Sequence, residues 1–60
     1  MKYEIGDTIE YQPFGGSTRI VTVRYKDRDI KNGRPGFDAD DVWGYDYQIV
    51  RVIPRNDSVT

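Results

Sequence analysis

The sequence predicts an all-β domain of five short strands curled into a small barrel. Three observations carry that expectation. Apolar residues recur with a period of two in several segments, as half-buried strands require. β-branched and aromatic residues dominate those segments. Gly, Pro, Asn and Asp punctuate the chain at close intervals, which suits strands joined by tight turns. Closure into a barrel fits the size, because it removes sheet edges that so short a chain could not cover with helices.

The sequence of 60 residues sits near the lower limit for independent folding and makes one domain, expected over 1–54, with a polar tail at 55–60. A domain this short buries only roughly 60% of the surface its unfolded chain exposes, so nearly every large apolar side chain is needed inside.

In chain order, Ile5-Gly6-Asp7 bends into Thr8-Ile9-Glu10-Tyr11-Gln12, where Ile9 and Tyr11 alternate with polar residues. Pro13 cannot donate to a ladder, and Phe14-Gly15-Gly16-Ser17 follows as a loop with Phe14 folded back over the barrel end. Arg19 to Lys26 reads as the clearest strand, with Val21, Val23 and Tyr25 inward and Thr22, Arg24 and Lys26 outward; Ile20 breaks the pattern. Asp27 to Asp29 reads as a turn, after which Ile30 anchors the next segment. Asn32-Gly33 is a strong hairpin signal, and Pro35-Gly36 suits the centre of a type II turn. An acidic tip, Asp38-Ala39-Asp40-Asp41, leads into Val42-Trp43-Gly44-Tyr45. Asp46-Tyr47-Gln48 reads as a short turn, one loop of 3₁₀ helix, before the last strand, Ile49-Val50-Arg51-Val52-Ile53, which Pro54 stops.

Several of these segments together resemble SH3-like barrels: Gly6-Asp7-Thr8-Ile9-Glu10-Tyr11, the Val21-Thr22-Val23 strand, and the run from Trp43 to Val52. The resemblance spans roughly residues 5 to 53 and implies a single five-stranded SH3-like barrel, with a Gly-Asp turn before the first strand and an aromatic fourth strand passing through a 3₁₀ turn into an aliphatic fifth. The run Ile30 to Asp38, followed by Val42-Trp43-Gly44-Tyr45, is also similar to short uncharacterised proteins of actinobacteria and their phages. That likeness implies no mechanism, since fold does not dictate function.

Composition excludes much chemistry. Histidine and cysteine are absent, which removes the commonest general base, the usual zinc ligands, the most reactive nucleophile and any disulfide framework. Ser17 and Ser58 have no imidazole to activate them, and a filled barrel offers carboxylates no sheltered cleft. No catalytic residue, metal or cofactor is expected. The cluster Asp38, Asp40 and Asp41 offers oxygen ligands, but it lacks the glycine and distal glutamate of a calcium loop and reads as a solvated turn. No apolar run approaches a membrane span and the N-terminus is unlike a signal peptide, so the expected location is the cytoplasm.

The net charge of −1 is unevenly spread. Arg19, Arg24, Lys26, Arg28, Lys31 and Arg34 outweigh Asp27 and Asp29 in the middle of the chain, while both flanks are acidic. Such a distribution can close on itself as surface ion pairs, each worth about 0–1 kcal/mol, or steer an anionic partner.

Eight aromatic residues are too many for so small a core, and tyrosine and tryptophan suit interfaces. The plain alternative is that Trp43 and several tyrosines cap the barrel ends. The leading expectation is a protein-interaction module, a small accessory protein of the kind a phage encodes. Its contact patch would be Phe14, Trp43, Tyr45 and Tyr47, with Arg24 and Arg34 at the rim. A second expectation is a nucleic-acid binder using Arg24, Lys26, Arg28, Lys31 and Arg34, by stacking plus phosphate contact; the sequence pI of about 5.1 weighs against it. A third is a homo-oligomeric structural subunit pairing an edge strand or an aromatic face.

Overall fold

The computed structural model describes residues 2–54, so the tail expected at 55–60 lies outside the described residues. The chain is all-β: strands β1 (Thr8–Tyr11), β2 (Arg19–Thr22), β3 (Tyr25–Lys31), β4 (Arg34–Ala39), β5 (Val42–Tyr45) and β6 (Ile49–Ile53), with a 3₁₀ turn at Asp46–Gln48 between the last two. They form two three-stranded antiparallel sheets, β2-β1-β6 and β3-β4-β5. Among the described residues no ladder closes the two sheets into a barrel, and no helix is long and apolar enough to cross a membrane.

The segment expected as one strand from Arg19 to Lys26 is broken, which makes six strands where five were expected. β2 ends at Thr22 and β3 begins at Tyr25 because the chain changes sheet between them. Val23 belongs to the first sheet: its N–H donates to Asp7 O at 2.9 Å, and its carbonyl accepts from Gly6 N at 2.8 Å. Arg24 belongs to the second, its N–H donating to Asp38 O at 2.8 Å. The inward parity of Val21 and Val23 therefore does not carry on to Tyr25, which is exposed. Lys26 departs from the expected outward strip for the same reason. It is half-buried, opposite the buried Phe37, and its Nζ donates to Tyr3 O at 2.5 Å.

Asp27 to Asp29 is no turn between strands but part of β3. Arg28, Asp29 and Ile30 stand against the single Pro35, since the register runs from Asp27↔Gly36 directly to Lys31↔Arg34. Pro35 has no N–H to give the ladder, so β3 bulges there. Side chains satisfy the loosened backbone: Asp27 Oδ1 accepts from Asp29 N at 3.0 Å, and Asp29 Oδ1 from Gly33 N at 2.7 Å.

The Asn32-Gly33 hairpin forms as its sequence requires, with positive φ of 58° and 72° at the two residues. The turn expected at Pro35-Gly36 does not form, because one tight hairpin already reverses the chain and both residues lie in β4. Asp40-Asp41 is the loop between β4 and β5, and Asp38 and Ala39 are strand residues.

The core consists of Tyr3, Ile9, Tyr11, Val23, Phe37, Ala39 and Ile49, with Val21, Val42 and Val52 against it. Phe37 is its centre. The rings of Tyr3 and Tyr11 meet it edge-on, with centroids 6.2 and 5.3 Å away. Gly44 lies opposite Phe37 on β5, where a Cβ would meet the ring at 2.9 Å.

Candidate functional site

Trp43 and Tyr45 are two apart on β5 and so project to the same side, away from Phe37. The chain then enters the 3₁₀ turn that carries Tyr47. Gln48 fixes the geometry of that turn. Its Oε1 accepts from Tyr45 N at 2.8 Å, its Nε2 donates to Gln12 O at 2.7 Å, and its carbonyl accepts from Gln12 N at 2.8 Å. Buried, and bonded at both ends of its amide and at its backbone carbonyl, Gln48 ties the turn to the end of β1. Gln12 Nε2 in turn donates to the carbonyls of Pro13 and Gly16, holding the loop that presents Phe14.

Four rings meet as a result. Tyr45 is 7% exposed and lies at the centre. Tyr47 stacks on it with centroids 5.2 Å apart and planes at 10°. Trp43 meets it edge-on at 5.3 Å and 86°, and Phe14 leans on it at 6.3 Å. Phe14 and Tyr47 also face each other at 6.5 Å. These three outer rings are 73% (Phe14), 44% (Trp43) and 62% (Tyr47) exposed. Phe14, expected to fold back over the fold's end, instead stands in solvent with one face on the cluster.

The rim of this face is basic at one side. Lys31 Nζ lies 5.4 Å from the centre of the Trp43 ring, within cation–π range. Asn32 Nδ2 approaches Tyr45 Oη at 3.4 Å. Arg34, exposed, pairs with Lys31 across the hairpin. Arg24, expected at the rim, turns elsewhere: its Nε pairs with Asp40 Oδ1 at 3.0 Å, at the hairpin end of β5. The sequence suggests Lys31 only for nucleic acid and Tyr25 for the interior, and the structure differs on both. Tyr25 is 54% exposed and stands in the row Tyr25↔Asp38↔Trp43, so it continues the aromatic face. The Asn-Gly signal could have located Lys31 next to a hairpin, but no sequence signal sets the β4–β5 register that brings it to Trp43.

The six basic residues of 19–34 do not share one strip. Arg24 is held by Asp40, Lys26 is pinned over Tyr3, Arg28 borders a shallow cleft with Asp27 and Asp46, and Lys31 and Arg34 lie by the aromatic rings. Among the described residues no three carboxylates gather as a metal site.

Beneath the turn, Tyr3 Oη donates to Asp46 Oδ1 at 2.5 Å. Burial, then this bond to the carboxylate, pushes the Tyr3 phenol well above its ordinary value. On the outer face of the first sheet, Arg51 Nε donates to Glu10 Oε1 at 2.8 Å; this bond first, and one from Thr18 second, hold the Glu10 carboxyl below the usual range.

The chain matches no family model, no curated protein and no solved structure.

Proposed function

We propose that this chain is a small non-catalytic interaction module that binds a protein partner through the exposed rings of Phe14, Trp43 and Tyr47, with Arg34 and Lys31 at the rim. The three rings are seated on the buried Tyr45 rather than joined by it at the contact. One observation carries the reading: a buried tyrosine serves as a rigid base on which three exposed rings rest. Aromatic side chains offer large contact areas with few torsions to freeze, and they carry much of the energy at protein interfaces. A contiguous exposed cluster of this kind costs solvation in a lone monomer and is relieved when a partner covers it.

The proposed frame is a five-stranded SH3-like barrel in the cytoplasm. Counting the bent segment from Arg19 to Lys31 as one strand supports it, since that strand then contributes to both sheets. The 3₁₀ turn between β5 and β6 supports it as well.

Affinity capture from lysate, read by mass spectrometry, tests the function with wild type and Trp43→Ala side by side. The reading expects a captured protein that Trp43→Ala loses. Equal capture by both chains contradicts it.

A further inference from the structure

The exposed edge of β2 is a second surface, separate from the aromatic face. Along an extended strand, successive residues aim their N–H and C=O groups at opposite edges. Val23 aims both of its groups at the β1 side, bonding Asp7 and Gly6, whereas Arg24 aims its N–H at Asp38 on β4. By that alternation Arg19 and Val21 serve the β1 ladder, and Ile20 and Thr22 face away from it. β4 turns back at Asp40-Asp41 before reaching them, and among the described residues no strand pairs with this side of β2. A groove of about 330 Å³ lies there, with β2 as one wall and Ala39, Asp40 and Asp41 as the other.

We propose that this edge pairs with the same edge of a second copy of the chain. The segment is self-complementary. In antiparallel register centred on Val21, Ile20 of each copy stands opposite Thr22 of the other, and both residues present outward N–H and C=O groups. That pairing makes four backbone hydrogen bonds about a two-fold axis and joins the sheets into β6-β1-β2-β2-β1-β6. Ile20, 56% exposed in the single chain, gains a cross-strand neighbour on the outer face. Charge chooses a second copy over an unrelated extended segment. The register sets Arg19 of one copy opposite Val23 of the other, beside the hairpin that carries Asp40 and Asp41. Asp40 already has Arg24, and among the described residues no ion pair engages Asp41, which faces the incoming arginine. Symmetry makes the contact twice, and the contact is isologous, so assembly closes at two chains.

Sedimentation equilibrium over micromolar to millimolar chain tests the pairing. The expected mass rises with concentration from 7.0 kDa toward twice that value and no further. Ile20→Lys, a charge on an exposed edge position, is expected to weaken association at least about tenfold, with an unchanged urea midpoint at dilutions where both chains are monomeric. Arg19→Asp and Asp41→Arg are each expected to weaken it, and the double variant, which restores opposite charges across the two-fold, to recover it to within about threefold. A chain that stays monomeric throughout overturns the proposal and leaves the edge to an extended segment of another protein. A dimer that tolerates Ile20→Lys, or that Tyr47→Ala abolishes, also overturns it, and so does failure of the double charge swap to recover association.

Discussion

Tyr47 lies nearly parallel to Tyr45, their planes 10° apart, so an exposed ring is laid on a buried one. The pair divides labour. Tyr45 gives the site its position through β5, and Tyr47 gives it accessible surface through the 3₁₀ turn. Exposed rings on a mobile support would lose conformational freedom on binding; these are already placed by the fold.

Tyr47→Ala is therefore expected to separate binding from stability. The ring is mostly solvent-exposed, and its removal is expected to cost about 0.5–1 kcal/mol of folding stability. Partner affinity is expected to drop by about 2 kcal/mol or more. Urea denaturation and titration calorimetry measure the two quantities independently.

Gln48 supports the site from beneath without belonging to the contact surface. Gln48→Ala leaves Tyr45 N, which is buried, and Gln12 O, which is part-buried, without their partners. The expected loss is about 2–4 kcal/mol in urea denaturation, from two unsatisfied groups. Far-UV and near-UV circular dichroism are expected to show disturbed aromatic signals even where the fold survives.

Gly44→Ala tests the packing between β4 and β5. The new methyl would press on the Phe37 ring, and the core has little slack around it. Overpacking of this kind costs about 1–3 kcal/mol, read as a lowered urea midpoint.

Stability is expected to depend on pH at both extremes, with opposite signs. The Glu10 carboxyl is lowered in the folded chain from its ordinary 4.5, chiefly by Arg51. Its contribution is present above that value and is lost as pH falls through the folded one. Tyr3 is raised from its ordinary 10.0, first by burial and then by Asp46. Its contribution is complete below 10.0 and is lost as pH rises toward the folded value. Urea midpoints across pH are expected to show a shallower acid limb in Glu10→Gln and a shallower alkaline limb in Tyr3→Phe. Glu10 sits at the surface, so its effect is the smaller.

Local patterns made much of this legible from sequence. The alternation around Ile9 and Tyr11, the Asn32-Gly33 hairpin, the 3₁₀ turn at Asp46–Gln48 and the last strand are written in residues within a few positions of one another. A count of rings against core volume says only that some rings lie outside; which of them meet is set by β5 and the 3₁₀ turn, which bury Tyr45 beneath Trp43 and Tyr47. What escaped was non-local. The sheet change at Val23 and Arg24 depends on Asp7 and Asp38, far away in the chain. The bulge at Arg28 to Ile30 depends on Pro35 across the ladder. Both shift side-chain parity, and with it Tyr25 moved outward and Lys26 inward. The rim differs from expectation for a related reason: Arg24 and Asp40 meet only once the strands are paired.

The most direct measurement is calorimetric titration of a captured partner into wild type and into the Phe14→Ala/Tyr47→Ala double variant, at matched folded fraction. Affinity reduced at least about thirtyfold in the double variant, with Ile20→Lys binding as wild type does, is the predicted result. Equal affinity of wild type and the double variant would contradict the assignment of binding to the aromatic face.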